Sequence, residues 1–165
     1  MAYAYYPLTL LPVPDGEDAG RAFERWLHEE PLGDGPVTEE QTAAWALALP
    51  RLRELGPGAE DTIEEGDGER TRVTSYGYTY ECGIEVGYDS NGSAEVEIPI
   101  RDGCLPDRHL GARAVEVLAE VTGLTVYDER AGRVYDGYLP EHVSVLEPAA
   151  ERAARPWWKR LLGLR

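Results

Sequence analysis

Residue types that commonly carry chemistry are scarce in this chain. It has two cysteines and three histidines, and neither a Cys-x-x-Cys nor a His-Glu-x-x-His pair occurs, which argues against a zinc site. No apolar run approaches the length of a membrane span, and the N-terminus lacks the basic segment that opens a signal peptide. We therefore expect a cytoplasmic protein with reduced thiols and without a metal ion or other cofactor.

Positive charge is also scarce, and it is unevenly placed. Thirty-one acidic residues stand against 16 basic ones, for a formal net charge of -15. The last fourteen residues carry five basic and no acidic side chains, so the rest of the chain carries -15 less +5, or -20. Such a body repels nucleic acid and anionic membranes and attracts basic proteins or cations. We expect a basic partner and no nucleic acid.

Strict alternation of apolar and polar residues runs through residues 76–101. The apolar positions are all even-numbered: Tyr76, Tyr78, Tyr80, Cys82, Ile84, Val86, Tyr88, Ala94, Val96, Ile98 and Ile100. This pattern is typical of strands with one buried and one wet face. Residues 89–93, Asp-Ser-Asn-Gly-Ser, form a turn cluster between the two runs.

The parity of the two runs fixes the expected register of this hairpin. A two-residue loop, Asn91-Gly92, would pair Tyr88 with Glu95 and break the pattern, whereas a three-residue loop, residues 90–92, keeps both sets of even-numbered side chains on one face. The predicted pairs on the apolar face are Val86 with Val96, Ile84 with Ile98, and Cys82 with Ile100. On the polar face, Glu81 is expected opposite Arg101 and Glu85 opposite Glu97.

Helical spacing of apolar residues predicts three helices. The first follows a cap at Asp15. The second opens with the capping box of residues 38–41 and is expected to kink or restart at Pro50. The third covers residues 106–122 and stops at Gly123.

Strands precede and follow these helices. Residues 2–13 predict a first strand, in which Pro7 requires a bulge or an exposed N–H side. Residues 124–127 predict a late strand to which residues 133–135 return, and the acidic, glycine-rich residues 56–70 predict a mobile loop. This order is typical of an α+β protein: an antiparallel sheet with helices on one face, a ferredoxin-like (split βαβ) sandwich with an extra helix.

The basic C-terminus predicts a separate unit. We expect one domain over residues 1–147 and a basic amphipathic tail over residues 148–165. Its side chains suited to a membrane interface are Trp157, Trp158, Lys159 and Arg160. The other interpretation, which we favour, is a short helix folded against the acidic body or a loosely held end, since a body of -20 opposes membrane binding.

Asp107, His109 and Cys104 are the candidates for catalysis or metal binding. They would serve a small metal-dependent or cysteine-based hydrolase. Asp107, however, stands at a predicted helix start, where aspartate commonly caps the backbone. A disulfide between Cys104 and Cys82 is not expected, because the register pairs Cys82 with Ile100.

Ten tyrosines against one phenylalanine are the other unusual feature of the composition. Tyrosine favours strands, where its hydroxyl reaches solvent at a sheet edge. Tyrosine is also favoured in protein interfaces, so the same residues could form a recognition surface for a basic protein.

Residues 122–128, Thr-Gly-Leu-Thr-Val-Tyr-Asp, follow a predicted helix. A helix followed by Gly-Leu-x-x-Tyr-Asp-Pro-Gln resembles small acidic bacterial proteins of unknown function, some of which accompany toxins as immunity proteins. The early tyrosine-rich strand and the acidic amphipathic helix after it are similar in placement, and Glu129-Arg130 stands where the pattern has Pro-Gln. The resemblance covers about a fifth of the chain and transfers no catalytic residue.

These observations predict a non-catalytic acidic protein that binds a basic protein partner, such as an immunity protein or antitoxin. Its mechanism would be electrostatic steering followed by occlusion of the partner. The expected contacts are carboxylates of the wet sheet face and the acidic loop: Glu81, Glu85, Glu95, Glu97, Asp61, Glu64 and Glu65. The small hydrolase and a structural subunit of a larger assembly are the alternatives.

Overall fold

The computed structural model describes residues 4–29, 35–66 and 71–143. The predicted basic tail, residues 148–165, lies outside the described residues, and so do the interpretations of Trp157, Trp158, Lys159 and Arg160. Within the described ranges, no helix is long and apolar enough to cross a membrane.

The described residues form eight strands and three helices. The strands are β1 Ala4–Leu11, β2 Gly58–Glu60, β3 Ile63–Glu65, β4 Arg72–Tyr80, β5 Glu85–Asp89, β6 Ala94–Ile100, β7 Thr125–Asp128 and β8 Arg133–Val134. The helices are α1 Ala19–Glu29, α2 Glu39–Leu55 and α3 Arg108–Thr122.

One antiparallel sheet contains all of these strands. Its order is β2-β4-β5-β6-β1-β7-β8, and β3 also pairs with β4. Because β6 and β7 are each antiparallel to β1, which lies between them, they run parallel to each other and are connected through α3. The prediction of an α+β protein with an antiparallel sheet is confirmed.

The main core lies between the even-numbered side chains of the central strands and the helices α2 and α3. Its fully buried members include Leu8, Leu10, Leu52, Ile84, Val86, Val96, Ile98, Val115 and Leu118. Helix α3 approaches the sheet closely at Gly111, where a Cβ would lie 2.3 Å from Cδ1 of Ile98. Glycine at this position lets the helix backbone lie directly on β6.

Helix α1 lies on the opposite face of the sheet, so the prediction that the helices share one face is wrong. Phe23 of α1 packs with Leu11 and Tyr127 in a second apolar cluster, and its ring stacks on Tyr127 with centroids 4.0 Å apart. Leu11 and Tyr127 are odd-numbered residues and point away from the main core. Apolar side chains occur on both faces at this end of the sheet, and each set has to be covered.

The predicted β5–β6 hairpin is confirmed. The amide of Asp89 donates to the carbonyl of Ser93 at 2.9 Å, which closes a three-residue loop with Gly92 at φ 90°. Val86 pairs with Val96 and Glu85 with Glu97.

A second hairpin turn, which the sequence pattern did not predict, interrupts the first alternating run. The amide of Tyr80 donates to the carbonyl of Ile84 at 2.9 Å, and Gly83 in the loop has φ 94°. Residues 76–88 therefore form two strands, β4 and β5. The β5–β6 ladder ends at Glu85, so it does not contain the predicted pairs beyond that residue, which are Ile84 with Ile98, Cys82 with Ile100 and Glu81 with Arg101.

Side-chain hydrogen bonds to backbone amides cap the first turns of α1 and α2. In α2 the capping box is confirmed: Thr38 Oγ1 accepts from the amide of Gln41 at 3.1 Å, and Gln41 Oε1 accepts from the amide of Thr38 at 2.8 Å. The helix continues through Pro50 without a restart. At α1, Asp18 rather than Asp15 caps the first turn, because only its carboxylate accepts a hydrogen bond from a backbone amide there.

The acidic segment after α2 forms two short strands, so the predicted mobile loop is wrong for residues 58–65. β2 pairs with the end of β4 and β3 pairs with its beginning. The outer edge of β4 presents backbone N–H and C=O groups that require partners, and these two strands supply them.

Pro7 lies in the central strand β1 without a bulge. It pairs with Glu97 of β6, whereas the ladder to β7 begins only at Leu8. The nitrogen of Pro7, which carries no hydrogen, therefore faces β7, where the ladder requires no hydrogen bond from this residue. This outcome is the second of the two predicted alternatives.

Candidate binding surface

Carboxylates converge on the second face of the sheet, the face opposite α2 and α3. Glu85 lies directly opposite Glu97, and Gly87 lies directly opposite Glu95. The amide of Asp61 donates to the carbonyl of Gly77 at 2.8 Å, which places Asp61 in line with the neighbouring pair of Gly77 and Gly87. Four predicted contact residues are thus brought together on this face: Glu85, Glu95, Glu97 and Asp61.

This second face is not the wet face that the alternation predicted. Glu97 is 0% exposed and Ser75 is also 0% exposed, while Glu85 and Glu95 are half-buried. Alternation reports that the odd positions are polar, but polarity does not establish that water reaches them. The prediction that Glu97 contacts a partner at the surface is therefore wrong for this structure.

The pKa of Glu85, on this face, is raised well above its ordinary value. Burial, together with the nearby carboxylates of Asp61 and Glu95, raises the pKa of Glu85 to about 7. Its Oε2 atom is buried and has no hydrogen-bond partner within the described part of the chain. Near neutral pH the group is therefore partly protonated, which weakens its repulsion of the carboxylates of Asp61 and Glu95.

A second set of acids lies at the exposed margin of the sheet, and we call it the acidic edge: Asp61, Glu64, Glu65 and Glu81. All four side chains are exposed. The amide of Glu81 donates to the carbonyl of Pro57 at 3.0 Å, which ties the turn that carries Glu81 to the start of β2. None of the four forms an ion pair within the described ranges, whereas Glu60 beside them is paired with Arg53 at 2.8 Å.

The residues suggested for catalysis are not brought together as predicted. Asp107 occupies the N-cap position of α3, as predicted, although its side chain makes no capping hydrogen bond. Cys104 contacts His142, with 3.3 Å between Sγ and Nδ1, and no contact of Cys104 with His109 is found in the described residues. Nor does this part of the chain contain three or more His, Cys, Asp or Glu residues arranged to hold a metal ion.

His142 is the residue that sequence reasoning missed. It lies 38 positions from Cys104, beyond α3, β7 and β8, and no motif spans that distance. The isolated bridge that joins these two residues is a tertiary contact. The only available signal was the presence of both side-chain types in one chain.

The tyrosines belong mainly to the core and not to a recognition surface. Tyr6, Tyr78, Tyr80, Tyr88 and Tyr127 are buried. Three of their hydroxyls donate to internal acceptors: Tyr6 to the carboxylate of Asp128 at 2.8 Å, Tyr78 to the carbonyl of Gly56 at 3.3 Å and Tyr80 to the carbonyl of Leu52 at 2.8 Å. Strand preference therefore explains these residues better than partner recognition does.

Comparison with known proteins yields no relative: no protein-family model, no curated protein and no solved structure matches this chain.

Proposed function

We propose that this protein is a non-catalytic cytoplasmic binding protein that holds a basic protein partner against the acidic edge. An immunity protein or antitoxin that neutralises a basic toxin is the concrete case. The observation that carries the proposal is the group of exposed carboxylates Asp61, Glu64, Glu65 and Glu81, which have no ion pairs within the described residues.

Electrostatics supports this choice of surface. In the described ranges, most arginines that form ion pairs do so with acids outside the acidic edge. Examples are Arg51 with Glu120 and Arg133 with Asp136. The acidic edge therefore keeps its field, and a positively charged partner approaching it is steered towards the sheet margin. Glu85 and Glu95 lie half-buried on β5 and β6, and the negative charge that they carry adds to this field without direct contact.

The proposal also includes a fold assignment. The strand order β5-β6-β1-β7, with α2 and α3 on one face, supports assignment as a ferredoxin-like sandwich with β4, β2, β3 and β8 as additions. A rigid antiparallel sheet of this kind holds acidic side chains at fixed spacing along its margin. The structural-subunit and hydrolase alternatives stay predictions.

Two variants with the same net charge provide the test. The edge variant carries Asp61→Asn, Glu64→Gln, Glu65→Gln and Glu81→Gln. The control variant carries Asp15→Asn, Glu29→Gln, Glu39→Gln and Glu116→Gln, which are exposed acids of the three helices and of the segment before α1. Each variant removes four negative charges, so a difference between them reports position and not total charge.

Immobilised wild-type protein and both variants are incubated with lysate of the native host, and captured proteins are identified and retested in purified form. We expect the wild type and the control to capture the same basic protein, and the edge variant to lose it. Its association rate with the wild type should fall as salt rises, because charges exposed to solvent are screened within about 8 Å at 0.15 M. Equal capture by the two variants, or salt-independent association, would refute the proposal.

A further inference from the structure

The pair formed by Cys104 and His142 is the one place in the described residues where a thiol meets an imidazole. The two residues form an isolated antiparallel bridge. The amide of Leu105 donates to the carbonyl of Glu141 at 2.9 Å, and the amide of Val143 donates to the carbonyl of Gly103 at 2.8 Å. These bonds flank the pair on both sides, which is the arrangement that brings opposite side chains closest in an antiparallel ladder.

A tight turn fixes Cys104 from the other side. Arg101 and Cys104 exchange both backbone hydrogen bonds, each 2.9 Å long. Asp102 and Gly103 between them have φ 51° and φ 73°, which is typical of a two-residue hairpin turn with both central residues left-handed. The thiol is thus held by main-chain bonds to two different segments, and its 3.3 Å separation from Nδ1 does not depend on a flexible loop.

The position of the pair permits chemistry with solutes. The His142 side chain is exposed and Cys104 is half-exposed, so a small molecule can reach the sulfur. Cys82, the other cysteine, lies in the turn between β4 and β5, packs against the main core and has no imidazole contact within the described residues. The neighbouring base therefore distinguishes Cys104 from Cys82, and the substitution of His142 isolates the effect of that base.

We propose that Cys104 is a nucleophilic thiol assisted by His142, which exchanges with small disulfides. The S–H proton passes to Nδ1, and the thiolate attacks one sulfur of the disulfide. A new S–S bond forms on Cys104, the original S–S bond breaks, and the departing thiolate takes the proton from the imidazolium. The products are a mixed disulfide on Cys104 and one free small thiol, so atoms, electrons and the proton all balance.

The disulfide is the class of electrophile that these residues suit. Attack on a carbonyl develops a negative oxygen that requires dedicated hydrogen-bond donors. Attack on a disulfide sulfur develops its charge on the leaving thiolate, and the imidazolium beside Cys104 can neutralise it. A thiol and one base are therefore sufficient for exchange with a disulfide. This covalent step does not depend on the proposal that the acidic edge binds a basic protein.

The experiment uses the full chain with oxidised glutathione and follows mixed-disulfide formation by intact mass. Cys82→Ser leaves Cys104 as the only thiol, and Cys104→Ser leaves Cys82. We expect Cys104 to react at least about tenfold faster than Cys82, as accessible thiols with an adjacent base do. In the Cys82→Ser background, His142→Asn should slow the reaction about tenfold, since the base is removed. His109→Asn should leave the rate unchanged, because it replaces an exposed histidine that does not contact Cys104.

Thermal melting of each variant verifies that it is folded, and His142→Gln serves as the second substitution if His142→Asn is not. Equal rates for the two thiols, or a Cys104 rate that both His142 variants leave unchanged, would overturn the proposal.

Discussion

Replacing Glu85 with glutamine should change how the stability of the protein depends on pH. Burial raises the pKa of Glu85 from 4.5 to about 7 in the folded protein. The folded state therefore holds the proton more tightly than the unfolded state. Below pH 4.5 the group is protonated in both states and has no effect. As the pH rises from 4.5 to 7, the unfolded chain ionises first, and the free energy of unfolding falls.

The size of the effect follows from the two pKa values. One pKa unit corresponds to about 1.4 kcal/mol, so the rise from 4.5 to about 7 sets an upper limit of roughly 3 kcal/mol. Glu85 is only half-buried, and solvent screening reduces this to about 1–2 kcal/mol. The Glu85→Gln variant cannot ionise, so it should gain about that much stability relative to the wild type at pH 8. Near pH 4.5 no such gain is expected.

Urea unfolding followed by fluorescence of the buried Trp45 measures this at pH 4.5, 6, 7 and 8. Glu81→Gln is the control, because Glu81 is exposed in the turn between β4 and β5 and its loss also removes one negative charge. The decisive quantity is how the difference in unfolding free energy between Glu85→Gln and the wild type changes with pH. A buried glutamine amide also lowers the stability of the variant, but by an amount that does not vary with pH. A difference between Glu85→Gln and the wild type that is flat from pH 4.5 to 8 would refute the reasoning.

Two further substitutions test the packing that positions the sheet, both by urea unfolding. Tyr6→Phe removes the hydroxyl that donates to the buried carboxylate of Asp128 at 2.8 Å, and we expect a loss of about 1–3 kcal/mol. Tyr138→Phe, at an exposed tyrosine, should cost little, and equal effects of the two would contradict this account. Gly111→Ala places a Cβ 2.3 Å from the side chain of Ile98, so overpacking should cost about 1–3 kcal/mol. Its control is Gly56→Ala, whose nearest atom would lie at 3.5 Å, and a Gly111→Ala variant as stable as this control would show that α3 can move away from β6.

The alternating stretch shows how far local sequence determines this fold. Parity alone predicted the loop of residues 90–92 and the Val86–Val96 pair, and both are confirmed. The same parity concealed the turn of residues 81–83. A three-residue loop leaves even-numbered residues on one face before and after it, so Tyr80 and Ile84 remain in the core and the pattern continues unbroken. Gly83 was the available signal, since a left-handed glycine is what such loops require.

The second face of the sheet could be predicted only in part. The sequence identified the acidic residues and the Glu85–Glu97 pairing, because both follow from strand periodicity. It did not predict that Glu97 is fully buried or that α1 covers Leu11 and Tyr127, because burial depends on which elements pack together in three dimensions. The contact between Cys104 and His142 could not be predicted either, because it too depends on how distant segments pack together.

The two groups of carboxylates are coupled, and this gives the proposed function a pH signature. The charge of Asp61 is one of the causes that raise the pKa of Glu85. A cationic partner bound at Asp61 offsets that charge and lowers the pKa of Glu85, so binding releases a proton near neutral pH. By linkage, the affinity for a basic partner should rise between pH 6 and pH 8. In Glu85→Gln the edge is intact but the titrating group is gone, so the partner should still bind and its affinity should vary less over this range. An affinity that rises equally in wild type and variant would assign the proton to another group, and an affinity that falls would place the partner away from Asp61.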